Sequence, residues 1–277
     1  MDKKLRALFG LKFNPFDPDV PASSLHVPPA TDLFCRRMER LAGEGGFALV
    51  SGDPGTGKSA VLRLLVDRLA GVRDVSVGTL TRPQASMADF YRELGHHFGV
   101  ALTPHNRWAG ANALREKWRA HADSALTRPV LIVDEAQETR TGVLAELRLL
   151  ASAELDSQSI LTVVLAGDAR LTERLGTPEL VPLASRIRAR LHLEYASPGD
   201  LQDCLAHLLR EAGNPKLMTP ALVTALCEHA AGNRRALMNM ANDLLDVALE
   251  RELKQLDEGL YLETFACDAG SKKRRRT

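Results

Sequence analysis

A glycine-rich loop between an apolar run and a helical repeat constrains this fold more than any other sequence feature. Residues 52–59 read GDPGTGKS and follow the apolar run Phe47–Ser51. Apolar residues then recur at helical spacing, at Val61, Leu62, Leu65 and Leu69. A strand that leads through a glycine turn into a helix gathers backbone N–H groups and a helix N-terminus at one point, which suits phosphate oxygens. A chance glycine turn before a helix is the alternative.

The loop matches the GxxxxGK[ST] pattern of nucleoside triphosphate sites. In that pattern the lysine, here Lys58, reaches the β- and γ-phosphates, and the next hydroxyl, here Ser59, ligates Mg²⁺. We therefore expect ATP and Mg²⁺ as cofactors. The candidate ATP-binding residues are Gly52, Asp53, Pro54, Gly55, Thr56, Gly57, Lys58, Ser59 and Ala60.

Two acidic residues follow a second apolar run, about 75 residues downstream of the loop. The run Val130–Val133 indicates a buried strand, and Asp134 and Glu135 come directly after it. Ligands of open α/β sheets bind at the carboxyl ends of the strands. We expect Asp134 to hold Mg²⁺ through water and Glu135 to polarise the attacking water, so that both join Lys58 as candidate catalytic residues. A strand that merely ends in two solvated acids is the alternative.

Strand-like and helix-like segments alternate up to about residue 195, and only helical patterns follow. Runs that are apolar throughout, such as Ile160–Ala166, indicate a parallel sheet covered by helices on both faces. The predicted fold is therefore an α/β domain followed by a small all-helical domain. The predicted boundaries are 1–30 for an extended lead-in, 31–195 for the α/β domain, 196–267 for the helical domain and 268–277 for a disordered basic tail.

Composition restricts the compartment and the partners. No secretory signal and no membrane-spanning run are predicted, and the four cysteines lie far apart, so we expect a cytoplasmic protein without structural zinc. The formal net charge is +1, but Lys272–Arg276 contributes five positive charges, which leaves 31 basic against 35 acidic residues elsewhere. A nucleic-acid partner would therefore have to meet a local patch. The tail either tethers DNA or an acidic partner or only aids solubility.

The sequence resembles the AAA+ ATPases over roughly residues 8 to 250. Within them it is similar to the branch that holds the ExeA-type ATPases and the transposition helpers TniB, TnsC and the Mu B protein. The residues that carry this resemblance are the lead-in Phe13-Asn14-Pro15-Phe16, the tetrad Asp134-Glu135-Ala136-Gln137 and the segment Ala231-Gly232-Asn233-Arg234-Arg235. The resemblance implies a P-loop sheet sandwiched by helices, with a helical lid domain.

Further site residues follow from the resemblance. Asp168 stands where relatives place a polar sensor residue; an acid there departs from the pattern, and a helix N-cap is the alternative. Arg186, or failing it Arg188, corresponds to the arginine finger that completes a neighbouring subunit's site, which requires a homo-oligomer, a ring or a helical filament. A solvated strand face is the alternative for these arginines.

Two more positions follow from the same resemblance. Arg235 matches the sensor-2 arginine of the lid domain, with Arg234 as its possible replacement, and a surface ion pair is the alternative. Phe13 and Phe16 would pack against the adenine, or else would anchor the lead-in on the core.

Residues 82–121 form a locally basic stretch with four of the eight histidines. In DNA-encircling relatives, loops of this part of the domain touch phosphates. The candidate DNA contacts are Arg82, Gln84, Thr103, His105, Asn106 and Arg107. A solvated helical surface, with Trp108 and Trp118 in the core, is the alternative.

The sequence is compatible with three functions. The first is an ATP-hydrolysing DNA-binding regulator of transposition, which assembles on duplex DNA, recruits a transposase and disassembles on hydrolysis. The second is an ExeA-type secretion ATPase, a class that typically carries a membrane segment and a peptidoglycan-binding extension; because neither is seen here, we expect the first. The third is a nucleotide-gated switch with little hydrolysis.

Overall fold

Five strands form one parallel sheet in the computed structural model, which describes residues 2–100, 107–123, 127–153 and 158–271. The described strands are β1 (Gly46–Gly52), β2 (Val75–Leu80), β3 (Arg128–Val133), β4 (Ser152–Ala153), β5 (Gln158–Ser159), β6 (Thr162–Gly167) and β7 (Ile187–Leu193). The sheet order is β2–β3–β6–β1–β7, and β4 and β5 pair separately as a short antiparallel ribbon. The predicted parallel α/β sheet is thus confirmed.

Helices connect the strands and then continue without strands to the end of the described chain. They are α1 (Asp2–Phe9), α2 (Pro29–Glu44), α3 (Lys58–Ala70), α4 (Met87–Phe98), α5 (Arg107–Asp123), α6 (Thr141–Ala151), α7 (Ala169–Leu175), α8 (Val181–Ala184), α9 (Pro198–Ala212), α10 (Pro220–His229), α11 (Arg234–Glu250) and α12 (Glu258–Ser271). Among the described residues, no helix combines the length and the apolarity needed to cross a lipid bilayer.

The contacts divide the chain into two units. The sheet unit comprises residues 27–54 and 58–193, and the helical unit comprises residues 1–26, 55–57 and 194–277. Three loop residues, Gly55, Thr56 and Gly57, therefore group with the helical unit, although the strand and the helix that flank them belong to the sheet unit.

The middle of the sheet is apolar on both faces, which explains its wholly apolar strands. β6 lies between β1 and β3, with Gly46 and Val130 both paired to Thr162. All six residues of β6 are buried. Alternate residues of such strands point to opposite faces, so burial on both sides requires an uninterrupted apolar run. This packing fixes the carboxyl ends of β1, β3 and β6 beside one another.

The helical unit has its own core, and the lead-in is part of it. Leu5, Phe9 and Phe16 are buried in one cluster with α9 residues such as Leu201 and Leu205. The prediction of an extended lead-in is therefore wrong for Asp2–Phe9, because the i, i+4 pair Leu5 and Phe9 gives this short segment an apolar helical face.

The chain also differs from prediction at its carboxyl end. Helix α12 continues to Ser271, so the first four residues of the predicted tail are helical, while residues 272–277 lie outside the described residues. Helix α9 begins at Pro198, just inside the predicted helical domain, and a capping box between Ser197 and Asp200 fixes this start.

The burial of Phe16 allows a test of its two predicted roles, which are contact with the adenine and anchoring of the lead-in on the core. Phe16 is 3% exposed in the core of the helical unit. We expect Phe16→Ala to lower the free energy of unfolding by about 3–5 kcal/mol, the usual cost of emptying a buried phenylalanine site, measured by denaturant titration. Leu262→Ala, at a 62% exposed position of the same unit, should change it by less than about 0.5 kcal/mol. A large loss of ATP affinity in folded Phe16→Ala would instead favour the adenine contact.

Candidate nucleotide site

The glycine loop joins β1 to α3, as its sequence predicts. Gly55 and Gly57 have φ values of +88° and +106°, a region that favours glycine because a Cβ would clash there. Lys58 is buried at the start of α3 and donates hydrogen bonds from Nζ to the carbonyl oxygens of Gly52 (2.8 Å) and Asp53 (3.1 Å). The ammonium is thus held inside the loop, where the pattern places it for phosphate contact.

A hydrogen bond connects the loop helix to the end of β3. Ser59 Oγ donates to Asp134 Oδ2 over 3.2 Å. These two oxygens are the predicted Mg²⁺ ligands, and a hydroxyl beside a carboxylate is the kind of hard oxygen pair that Mg²⁺ takes together with substrate phosphates. The residues present therefore fit the metal that the loop pattern implies.

Glu135 lies directly after Asp134 in an unusual backbone conformation. Its φ of +49° and ψ of +40° are left-handed, and its N–H donates to Asp134 Oδ1 over 2.9 Å. Its side chain is exposed, and its carboxylate accepts a hydrogen bond from Gln137 Nε2. Non-glycine residues in this conformation are uncommon and cluster at functional sites. Catalysis by Glu135 stays a prediction.

Asp168, at the end of β6, is the N-cap of α7. Its Oδ1 accepts from the Arg170 N–H over 3.0 Å, and its Oδ2 accepts from Arg170 Nε (2.9 Å) and Nη2 (2.8 Å). These hydrogen bonds from Arg170 hold the pKa of Asp168 below its usual value. The geometry supports the N-cap alternative and leaves a direct phosphate-sensing role as a prediction.

Arg186 and Arg188 lie before and within the edge strand β7. Arg186 donates to the carbonyl oxygen of Pro182, and Arg188 lies on the exposed face of the strand, 3.7 Å from Glu44. Whether either residue acts on a neighbouring subunit stays a prediction.

Within the helical unit, the start of α11 lies against the loop glycines. Asn233 caps α11 by accepting from the Ala236 N–H, and the Arg235 N–H donates to the Gly55 carbonyl oxygen over 3.3 Å. A Cβ at Gly55 would lie 2.2 Å from Asn233 Oδ1, so position 55 has no room for a larger residue. A Cβ at Gly57 would lie 3.5 Å from the Arg234 Cδ.

The two neighbouring arginines therefore differ in placement. Arg234 is half-buried, with an Nε that has no hydrogen-bond partner among the described residues, whereas the side chain of Arg235 is exposed. Arg234, which the sequence offered as the replacement, thus has the better position beside the loop. The Arg235 assignment stays a prediction that this geometry does not favour.

The predicted DNA contacts are only partly described. Arg82 and Gln84 are exposed after β2, while Thr103, His105 and Asn106 lie outside the described residues. Arg107 is the first residue of α5, and the next residue, Trp108, is 76% exposed. Trp118, by contrast, is buried. The alternative that placed both tryptophans in the core is therefore wrong for Trp108.

Sequence reasoning assigned no role to three residues that organise the site: Gln137, Arg170 and Arg174. Gln137 was visible as the last member of the tetrad after β3. Arg170 and Arg174 belong to no sequence motif that would predict their contacts. Those contacts form only when α7, which follows β6, packs against the turn after β3.

The fold and this loop geometry define a P-loop AAA fold. Residues 40–175 match the AAA domain family. The general secretion pathway protein A of Aeromonas hydrophila is 32% identical over 219 residues, which is 78% of this chain and 39% of that protein. The chain thus spans about two fifths of the length of this relative. Residues 40–175 are thus similar to an AAA domain, and the chain is similar to part of the general secretion pathway protein A.

Solved structures show the same fold at low identity. The ORC1 protein of Aeropyrum pernix in complex with DNA is 18% identical with a TM-score of 0.69, over 91% of this chain and 68% of that one. The ORC2 protein of the same organism is 15% identical with a TM-score of 0.70, over 91% and 71%. The Thermotoga maritima RuvB Holliday junction branch migration motor is 15% identical with a TM-score of 0.54, over 91% and 73%.

The different placement of the neighbouring arginines gives a matched pair of variants. We expect Arg234→Ala to weaken ATP affinity or turnover by about tenfold or more, since a charge-assisted contact is worth about 1.5–3 kcal/mol. Arg235→Ala removes the same charge one residue away and should change either quantity by less than about threefold. Titration with a fluorescent ATP analogue and steady-state turnover measure both effects. A larger loss in Arg235→Ala would contradict this assignment.

Proposed function

We propose that this protein hydrolyses ATP and that Glu135 positions the attacking water. The observation that carries the proposal is the hydrogen bond between Ser59 and Asp134, with Glu135 as the next residue. It brings the predicted metal ligands from two separate motifs to one point. The neighbouring carboxylate is the group that a hydrolase needs and that a simple binding protein does not.

The chain supplies each group that phosphoryl transfer to water requires. The loop N–H groups and Lys58 bind the phosphates and offset their charge. Ser59 and Asp134 would hold Mg²⁺, which when bound would neutralise charge on the nucleotide phosphates. Glu135 orients the water for attack in line with the leaving oxygen. Catalysis in this class rests mainly on positioning and electrostatics, so precise placement of these groups is the main requirement.

We further propose a homo-oligomer, in which Arg186 completes the site of a neighbouring copy. In the described sheet Arg186 directly precedes the edge strand β7, and its guanidinium donates a hydrogen bond to the carbonyl oxygen of Pro182. An arginine supplied in this way stabilises the charge of the transition state. Hydrolysis would then depend on assembly.

For the biological process, we propose the ExeA type: ATP turnover that drives assembly of a secretion complex in the cell envelope. The similarity to general secretion pathway protein A of Aeromonas hydrophila supports this proposal. The partners of such a complex would be other envelope proteins. This proposal replaces the transposition hypothesis that the sequence alone favoured.

DNA binding in transposition is the second candidate. The basic stretch, residues 82–121, includes the exposed Arg82 and Trp108, which is 76% exposed. One solved structure of this fold is described in complex with DNA. Turnover with and without duplex DNA separates the candidates. Stimulation by DNA supports the second candidate, whereas co-fractionation with envelope proteins and no effect of DNA support the first. Tight ATP binding without turnover would favour a nucleotide-gated switch.

The role of Glu135 has a direct test. Glu135→Gln keeps the size of the side chain and removes its charge, so turnover should fall about 10²- to 10⁴-fold while ATP still binds. Lys58→Ala is the comparison variant, since it should lose ATP affinity itself. Phosphate release and nucleotide titration measure the two quantities. Turnover of Glu135→Gln at the rate of the unchanged protein would refute hydrolysis through this residue.

The oligomer proposal predicts complementation between two inactive variants. Mixing Arg186→Ala with Glu135→Gln should restore part of the turnover, because some interfaces then combine an intact Glu135 with an intact Arg186. The same mixture with Arg188→Ala in place of Arg186→Ala is the control for the neighbouring arginine. If both variants assemble and no turnover returns, the finger must lie elsewhere.

A further inference from the structure

A buried glutamine connects the two turns at the carboxyl ends of β3 and β6. Gln137 is 6% exposed, and both ends of its side-chain amide are bonded. Its Nε2 donates to the Glu135 carboxylate, and its Oε1 accepts from the Asp168 N–H over 3.3 Å. The amide therefore links the predicted catalytic carboxylate to the backbone at the end of β6.

The turn that carries Gln137 is itself held in place by helix α7. Arg174 donates to the carbonyl oxygen of Gln137, to that of Thr139 over 2.7 Å and to Thr141 Oγ1 over 3.2 Å. One residue after Gln137, Glu138 forms an ion pair with Arg170 of α7 at 2.9 Å. These bonds fix the backbone of Gln137, and so they fix the origin of its side chain.

The end of β6 is shaped to admit the Gln137 amide. A Cβ at Gly167 would lie 2.5 Å from Gln137 Oε1 and 2.8 Å from Leu171 Cδ2, which no ordinary contact allows. The glycine is thus required by close approach, since the space that a side chain would fill is occupied by the amide. The position of Gln137 is therefore fixed by bonds to its backbone, by the bond to its Oε1 and by close packing against the end of β6.

The side chain of Glu135 is less restrained than that of Gln137. It is exposed, and a long acidic side chain on a surface samples several rotamers at a cost of up to about 2 kcal/mol to fix one. The hydrogen bond from Gln137 Nε2 holds the Glu135 carboxylate in one position. The other carboxylate oxygen of Glu135 can still accept a hydrogen bond. Orientation of this kind is a large part of catalysis by positioning.

We propose that Gln137 is a positioning residue, which holds the Glu135 carboxylate ready for water and makes its orientation depend on the β6–α7 turn. The inference rests on the proposed function, because it assumes that Glu135 orients the water. Gln137 is not one of the residues that we assign to the phosphates or to Mg²⁺. Its loss should therefore reduce the rate of the hydrolytic step and leave nucleotide binding unchanged.

The test is Gln137→Met, which keeps the length of the side chain and removes both hydrogen bonds. We expect kcat to fall about 10- to 100-fold, as for a misplaced catalytic group, with KM for ATP within twofold. The affinity for ADP without Mg²⁺ should also stay within twofold. Gln255→Met is the matched control, because Gln255 is an exposed glutamine that donates one bond to the Lys216 carbonyl oxygen. It should leave kcat unchanged.

A double-mutant cycle with Glu135→Gln separates positioning from a structural role. If Gln137 acts through Glu135, adding Gln137→Met to Glu135→Gln should change the residual single-turnover rate by less than twofold. An equal fold-loss in both backgrounds would overturn the proposal. If Gln137→Met fails to fold, Gln137→Glu replaces it, since it retains an acceptor for the Asp168 N–H and repels Glu135.

The outcomes also distinguish this inference from the function on which it rests. Unchanged kcat in folded Gln137→Met, with Glu135→Gln inactive, overturns the positioning role alone. Full activity of Glu135→Gln overturns both, because there is then no carboxylate to position. Loss of ADP affinity in Gln137→Met would show that the glutamine supports the loop itself and would also overturn the proposal.

Discussion

The site depends on the hydrogen bond between Ser59 and Asp134, because it joins motifs that the sheet order keeps apart. β1 and β3 are not neighbours; β6 lies between them, so their carboxyl ends are about 10 Å apart at the usual strand spacing. The hydrogen bond from Ser59, near the start of α3, to Asp134 spans this separation. The end of β6, Gly167 followed by the N-cap residue Asp168, lies between the two strands in the sheet order.

Asp168 is an acid at the end of β6, the strand that lies between the two strands of the predicted nucleotide motifs. An unpaired carboxylate there would repel a γ-phosphate bound nearby. In the structure, Arg170 binds both carboxylate oxygens, and this pairing also keeps the pKa of Asp168 low, so the acid stays ionised but compensated. What the end of β6 offers toward Glu135 is then the Asp168 N–H, through Gln137, and not its carboxylate.

The sequence predicted those features whose cause is local. The runs in β1, β3 and β6 are apolar because both faces of these strands are buried. The glycines of the loop motif directly indicate the backbone conformations that the loop needs. The edge strand β7 was harder to identify, because Arg188 and Arg190 occupy its exposed positions. The choice between Arg234 and Arg235 was beyond the sequence, since it depends on the rotation of α11 about its axis at Asn233. The bond from Gln137 to Asp168 joins positions 31 apart through sheet packing and has no local signature.

The predicted ATP site does not identify the partner. The loop and the acidic pair lie at the ends of sheet strands, and a site of this kind can serve many different processes. Partner choice must then come from exposed groups outside this set of residues, such as Arg82 after β2 and Trp108 in α5. An exposed tryptophan beside basic residues suits base stacking as well as an apolar protein surface. Relatedness to a secretion protein therefore weighs more here than the fold shared with DNA-bound structures, because at 14–19% identity that likeness concerns the fold alone.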